Sequence, residues 1–321
     1  MKCYQISFHA MGGPCELRFF HHSEKSVRKV FDACRNEVLR FEKKYSRYLE
    51  DSVLSKINQH SNATKVDSET TAILNYAQTA YQISDGLFDI SSGVLRTIWD
   101  FKSKLIPEQK VVNNCLKRIG WNKINWNDGE ISVPKDMELD FGGIVKEYAA
   151  DAVKNIALNS GITNGLINLG GDIVAIGSEL TEETKLSSSI SLKESNGSAF
   201  ADSDYSANQG WPIGIRHPDN SDKACCRINL LHGAVATSGD YEKFFIQNGR
   251  RYCHIFNPKT GYPVSNAASV TVIAPLCIVA GTLSTLGMLL PVKDAIAFLK
   301  QSEVTFILTY REEDKLKIVR D

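Results

Sequence analysis

The chain has 321 residues, enough for one large core or two smaller ones. Its 37 Lys plus Arg balance 37 Asp plus Glu for a formal net charge of +0, so it lacks the basic footprint of a nucleic-acid binder or a polybasic membrane-surface protein. With 43% hydrophobic and 23% charged residues it is globular in composition, and its longest apolar stretch, Val270 to Val292, is interrupted by Pro275, Gly281, Ser284 and Thr285, which argues against a membrane span. The N-terminus M-K-C-Y-Q-I-S-F-H-A has no apolar h-region, so no signal peptide is expected. The 8 cysteines are scattered without a CxxC pair, so a reduced, cytoplasmic protein without a membrane anchor is expected.

In chain order, Tyr4 to His21 reads as two strands joined around Gly12-Gly13-Pro14, with Met11 at the turn. Helical spacing follows over Val27 to Phe41, a short helix over Ser52 to Asn58, and a longer one over Ser68 to Asp85 that stops at Gly86. A helix begins near Ile144 and closes at Leu158. Gly165 to Ile176 is strand-like, broken by Gly170-Gly171. The segment from Ser178 to Gly210 is rich in Ser, Asn, Asp and Gly and is expected to be a mobile surface insertion. Strand patterns resume at Trp211 to Arg216, Cys226 to Leu231, Tyr252 to Phe256 and Ser269 to Ile273. Helices over Ile278 to Leu290 and Val292 to Lys300 and strands over Thr305 to Tyr310 and Lys317 to Val319 complete the chain. Helices and strands mixed without regular βαβ alternation predict an α+β fold, in one large domain over residues 1–321.

Four segments carry candidate chemistry. In Ala236 to Val264, two strand-like runs flank Asn248-Gly249, a strong hairpin signal, and a lone histidine, His254, is followed by Asn257-Pro258 and Thr260-Gly261. Hydroxyls, glycines and a histidine on a stiff hairpin suit a phosphate-bearing ligand, but the segment taken alone slightly favours a surface hairpin with a structural histidine. Asp85 to Ile90 combines a tight turn, an aromatic and a carboxylate, and a helix C-cap followed by a strand is its common structural reading. Asp140 to Tyr148 places Gly142-Gly143 at a strand-to-helix junction, where backbone N–H groups and a helix N-terminus favour anions and Lys146 lies within reach of a phosphate. Asn168 to Asp172 is a second such junction. At both, a glycine turn for close packing is an equal reading.

The order of the blocks says more than any one of them. M-G near the N-terminus, Y-S-R-Y-L-E-D-S-V-L-S-K-I-N, S-D-G-L-F-D-I, L-D-F-G-G-I-V-K-E-Y-A-A-D, I-N-L-G-G-D-I, W-P-I-G-I-R-H-P, A-T-S-G-D-Y, H-I-F-N-P-K-T-G-Y-P-V and V-T-V-I-A-P follow one another. Together they resemble the ApbE family, the FAD:protein FMN transferases, over nearly the whole chain outside the insertion. The resemblance implies an α+β fold of the T-fold type, FAD as substrate with Mg²⁺, and transfer of FMN to a Thr or Ser hydroxyl of an acceptor protein with release of AMP. It implies FAD contacts at Met11, Tyr48, Leu87, Phe88, Asp89, Asp140, Lys146 and Phe256. His254 would stand near the reacting phosphate as the group that takes the hydroxyl proton. The implied metal positions are the Gly143 carbonyl, Gly281 and Thr285.

The chain departs from the family pattern in places. The helix motif A-D-A-L-S-T becomes Ala280-Gly281-Thr282-Leu283-Ser284-Thr285, which loses the carboxylate that a Mg²⁺ site ordinarily uses. M-G-T becomes Met11-Gly12-Gly13, the aspartate of H-I-I-D-P becomes Asn257, and K-G-Y becomes Lys146-Glu147-Tyr148. Two further functions remain compatible with the sequence: a catalytically impaired FAD-binding carrier or assembly protein of the same fold, and a hydrolase that releases FMN and AMP from FAD.

Overall fold

The computed structural model describes residues 1–59, 63–178, 210–313 and 315–321, together with the backbone of the three-residue strand Leu192–Glu194. The chain divides into two compact units, each discontinuous in sequence. The first comprises Met1–Leu39, Lys146–Thr237 and Thr271–Ala280, the second Arg40–Val145, Ser238–Val270 and Gly281–Asp321.

The first unit is built on a sheet in which strands Lys2–Ala10, Gly13–His21, Gly165–Leu169, Asp172–Ile176, Gly233–Gly239 and Ser269–Ala274 neighbour one another in that order. The opening hairpin pairs Ala10 with Gly13, so its two-residue loop is Met11-Gly12; Met11 stands at the turn as expected, while Gly13 and Pro14 belong to the second strand. Both loop residues have positive φ (55° and 76°), the type I′ geometry that matches strand twist. Glycine adopts that conformation freely, whereas Met11 does so against its Cβ. Alternation along Gly13–His21 buries Cys15, Leu17 and Phe19. Phe19 stacks on Phe31 of the helix Glu24–Lys44 at 5.0 Å between ring centres, and that helix buries Val27, Val30, Cys34 and Val38 at the predicted spacing. The helix Val145–Asn159 buries Ala149, Ala150, Val153 and Ala157.

A second, three-stranded sheet of this unit orders Leu192–Glu194, Asn220–Leu230 and Trp211–His217. Within the stretch expected to be a mobile insertion, Leu192–Glu194 therefore forms an edge strand, antiparallel to Cys226–Ile228. The remainder of that expectation, apart from Ser178 and Gly210 at its ends, lies outside the described residues.

The second unit contains the helices Val53–Gln59, Ser68–Ile83, Gln109–Leu116 and Val292–Gln301 and the terminal hairpin Thr305–Glu312/Lys315–Arg320. The Asp67 side chain caps the Ser68–Ile83 helix by accepting from Thr70 N at 2.9 Å. Asp85 and Gly86 take positive φ after that helix, as the expected stop requires. A 3₁₀ helix, Ile90–Thr97, stands in place of the expected strand, because Asp89 caps it through Ser91 N at 2.8 Å. An aromatic core holds Trp99, Phe101, Phe245, Tyr252, Phe256 and Tyr262 together. Its indole Trp99 Nε1 donates to Gly261 O at 2.8 Å. Gly261 has φ 74°, and a Cβ there would lie 2.6 Å from Val112. No helix among the described residues is long and apolar enough to cross a membrane.

Candidate active site

In the second unit, Asp140 is the centre of the best-defined constellation. Its carboxylate pairs with the Arg47 guanidinium and accepts from Gly142 N at 2.9 Å, while its own N–H donates to Ile90 O at 2.8 Å. Arg47 also donates to Tyr48 Oη at 2.9 Å and lies 5.1 Å from the centre of that ring. Tyr48, 79% exposed, is thus an aromatic surface backed by a charged plane and joined through Arg47 to Asp140. Arg47 lies in a segment flagged by the sequence, but its partner is 93 positions away and no local pattern connects them.

The Leu87-Phe88-Asp89 triplet is mostly inward. Phe88 is buried, a Cβ on Gly143 would lie 3.6 Å from its ring, and its N–H donates to Ser84 Oγ. Asp89 is buried as well, accepting from Ser91 Oγ at 2.7 Å, Ser91 N and Trp121 N. Burial raises its pKa, and the hydrogen bonds from Ser91 and Trp121 counter this. At the Gly142-Gly143 turn, the anion-seeking amides expected from sequence are partly committed: Gly142 N to Asp140, and Ile144 N and Val145 N to Phe141 O at 2.9 Å.

His254 lies one residue past the strand Arg250–Cys253, so the expected strand over Tyr252 to Phe256 ends before the histidine. His254 N extends the pairing by donating to Lys243 O at 3.0 Å, and the imidazole sits on an exposed residue. Asn248 and Gly249 form the I′ turn of the hairpin (φ 52° and 75°). Asn257 Oδ1 accepts from Lys259 N and Thr260 N, and so shapes the turn after the histidine. Phe256 packs into the aromatic core against Trp99 and Phe101.

The three metal positions are all neutral. Thr285 Oγ1 lies 3.1 Å from Ser238 Oγ, which also meets Ser284 Oγ at 2.9 Å, and the Gly281 carbonyl accepts from Ser284 Oγ. Among the described residues no cluster of three or more His, Cys, Asp or Glu could hold a metal ion. A carbonyl and a hydroxyl without a carboxylate do not by themselves fit a tightly held hard dication.

In the first unit, Lys146 Nζ lies 2.8 Å from Asp172 Oδ2, and the lysine runs over Gly170. Gly170 N donates to Pro14 O at 2.9 Å, and a Cβ on Gly13 would meet Gly170 at 3.4 Å. Within this unit the Gly170-Gly171 turn thus lies beside the Lys146 ammonium and is tied to the strand that follows the Met11-Gly12 loop. Burial alone would lower the Lys146 pKa, but the Asp172 carboxylate beside it raises it, so the ammonium stays charged. Of the expected residues, Tyr48 joins Asp140 and Phe88 meets Gly143, while Asp89 and Phe256 face local partners and the core.

The model of the ApbE family matches residues 11–308. The chain belongs to the ApbE family. It is 26% identical over 311 residues to the FAD:protein FMN transferase of Klebsiella pneumoniae, covering 94% of this chain and 87% of that protein. It is 27% identical over 268 residues to the enzyme of that name from Treponema pallidum, covering 78% and 68%. The crystal structure of the ApbE protein of Thermotoga maritima superposes with a TM-score of 0.83 at 27% identity, covering 100% of this chain and 97% of that one. The flavin transferase ApbE of Vibrio cholerae gives a TM-score of 0.81 at 23% identity, covering 100% and 97%, and supports the fold alone. The α+β ApbE fold expected from sequence is therefore the fold of this chain.

Proposed function

We infer that this ApbE protein is an FAD:protein FMN transferase, which moves FMN from FAD to a Thr or Ser hydroxyl of an acceptor protein and releases AMP. The observation that carries this reading is the family match over residues 11–308, with relatives of that activity covering most of the chain. In this reading Tyr48 offers its exposed ring to the flavin nucleotide, while Met11, Leu87, Phe88, Asp89, Asp140 and Phe256 shape the FAD site. Lys146 supplies a cation to the phosphates. His254 accepts the proton of the acceptor hydroxyl; the hydroxyl oxygen bonds to the FMN phosphorus as the bridging P–O bond breaks, and AMP departs. The free thiol state of all eight cysteines is in keeping with a cytoplasmic setting. Mg²⁺ would arrive as a counter-ion with the FAD pyrophosphate, and the Gly143 carbonyl and the Thr285 hydroxyl would be its protein donors.

Removing the proton acceptor tests the assignment. His254→Ala is expected to lower FMN transfer by about 10²–10⁴-fold while FAD still binds. Transfer at the wild-type rate would remove His254 as the base.

A further inference from the structure

Glu147, Asp172 and Cys277 are buried together in the first unit, with the half-buried Lys146 ammonium beside them. Glu147 is 7% exposed and Asp172 3%. Glu147 Oε2 and Asp172 Oδ2 are both buried without a hydrogen bond of good geometry, although Lys146 Nζ is 2.8 Å from Asp172 Oδ2. The charges do not balance: two carboxyls share one ammonium. An ionised carboxylate buried without its own counter-charge is among the costliest arrangements a protein interior can hold. A single proton between the two carboxyls removes that cost and supplies the missing donor.

We propose that Glu147 is a neutral carboxylic acid whose O–H is donated to Asp172, and that this shared proton positions Asp172 and, through it, the Lys146 ammonium over the Gly170-Gly171 turn. Glu147 is then a positioning residue at a place where the ApbE pattern K-G-Y has glycine. The surroundings favour the proton on Glu147: burial raises its pKa, and the neighbouring Asp172 raises it further. Asp172 is also raised by burial, but the Lys146 charge and hydrogen bond oppose this, so it is the better carboxylate of the two. The other groups facing the pair are the Cys277 thiol, held neutral first by burial and then by the acids around it, and Asp151 on the same helix as Glu147, which is occupied by Cys277 N and Ile278 N at 2.9 and 3.0 Å. With Glu147 protonated, the Lys146–Glu147–Asp172 triad has no net charge. With Glu147 ionised it has one negative charge, which repels a pyrophosphate.

Infrared difference spectroscopy of the whole protein without FAD tests the proton directly. At pH 7 the wild type minus Glu147→Gln is expected to show the C=O stretch of one protonated carboxyl, unchanged on adding Mg²⁺. Absence of that band overturns the proposal, and so does its loss on adding Mg²⁺, which would make the pair a metal site. A second readout rests on the flavin-transferase reading of this protein. FAD affinity of Glu147→Gln is expected within about threefold of wild type, and Glu147→Leu, which cannot donate to Asp172, about tenfold weaker. As pH rises through the alkaline range, wild-type affinity should fall while that of Glu147→Gln stays flat; parallel profiles would overturn the role in positioning. An intact carboxyl band with no FAD binding in any variant would uphold the shared proton and contradict the flavin reading.

Discussion

Gly93 has no room for a side chain. A Cβ there would lie 2.4 Å from the Asp140 Cβ, so the 3₁₀ helix Ile90–Thr97 needs glycine at this position to let Asp140 reach Arg47. Gly93→Ala is expected to destabilise the protein by about 1–3 kcal/mol, read from a urea midpoint, and to weaken FAD binding by displacing Asp140. A stable variant with unaltered FAD affinity would detach Asp140 from the flavin site. Gly281 presents the converse case, a position where a side chain is missing. Introducing a carboxylate with Gly281→Asp is expected to lower the Mg²⁺ concentration needed for half-maximal transfer by roughly tenfold, the effect of one added anionic ligand. No change in a metal titration would mean that another group already supplies that charge.

Among the elements, the helix Cys277–Leu289 shows how one side chain from a distant segment fixes a helix end. Asp151 accepts from Cys277 N and Ile278 N, a charged cap on the first two donors of the helix. Asp151→Ala should therefore lower stability by about 1–2 kcal/mol in thermal or urea denaturation, and a neutral result would mean that water replaces the cap. That cap is not legible in the sequence, because Asp151 and Cys277 are 126 positions apart. The same holds for Arg47 with Asp140. Legible features are local: the Gly165–Ile176 strands broken at Gly170-Gly171, the buried spacing of Val27, Val30, Phe31, Cys34 and Val38, and the Asn248-Gly249 turn. The helix Gln109–Leu116 leaves little trace in the sequence because it buries only Val112 and Cys115 and has no side-chain cap. The start of the Ile90–Thr97 helix reads as a strand because the apolar residues around Asp89 hide its role as a cap. His254 stands out by its motif, yet its place one residue beyond the strand, with its N–H bonded to Lys243 O, is set by hairpin pairing that the motif does not reveal.

For the whole molecule, Glu147 couples stability to pH. Its pKa is raised in the folded protein by burial and by Asp172. A raised folded pKa means that its contribution is full below the unfolded value and is lost as pH rises through the folded value. The melting temperature of wild type relative to Glu147→Gln should therefore fall between about pH 5 and about pH 9. A constant difference over that window would place the proton elsewhere. The central claim, that this ApbE protein transfers FMN to a protein hydroxyl, is tested most directly by intact-mass spectrometry. Purified protein is incubated with FAD, Mg²⁺ and an acceptor flavoprotein that an active family member modifies. The expected result is an acceptor mass increase equal to one FMN adduct with AMP released, lost in His254→Ala. FAD bound but neither cleaved nor transferred, with the same acceptor modified by the active relative, would contradict it.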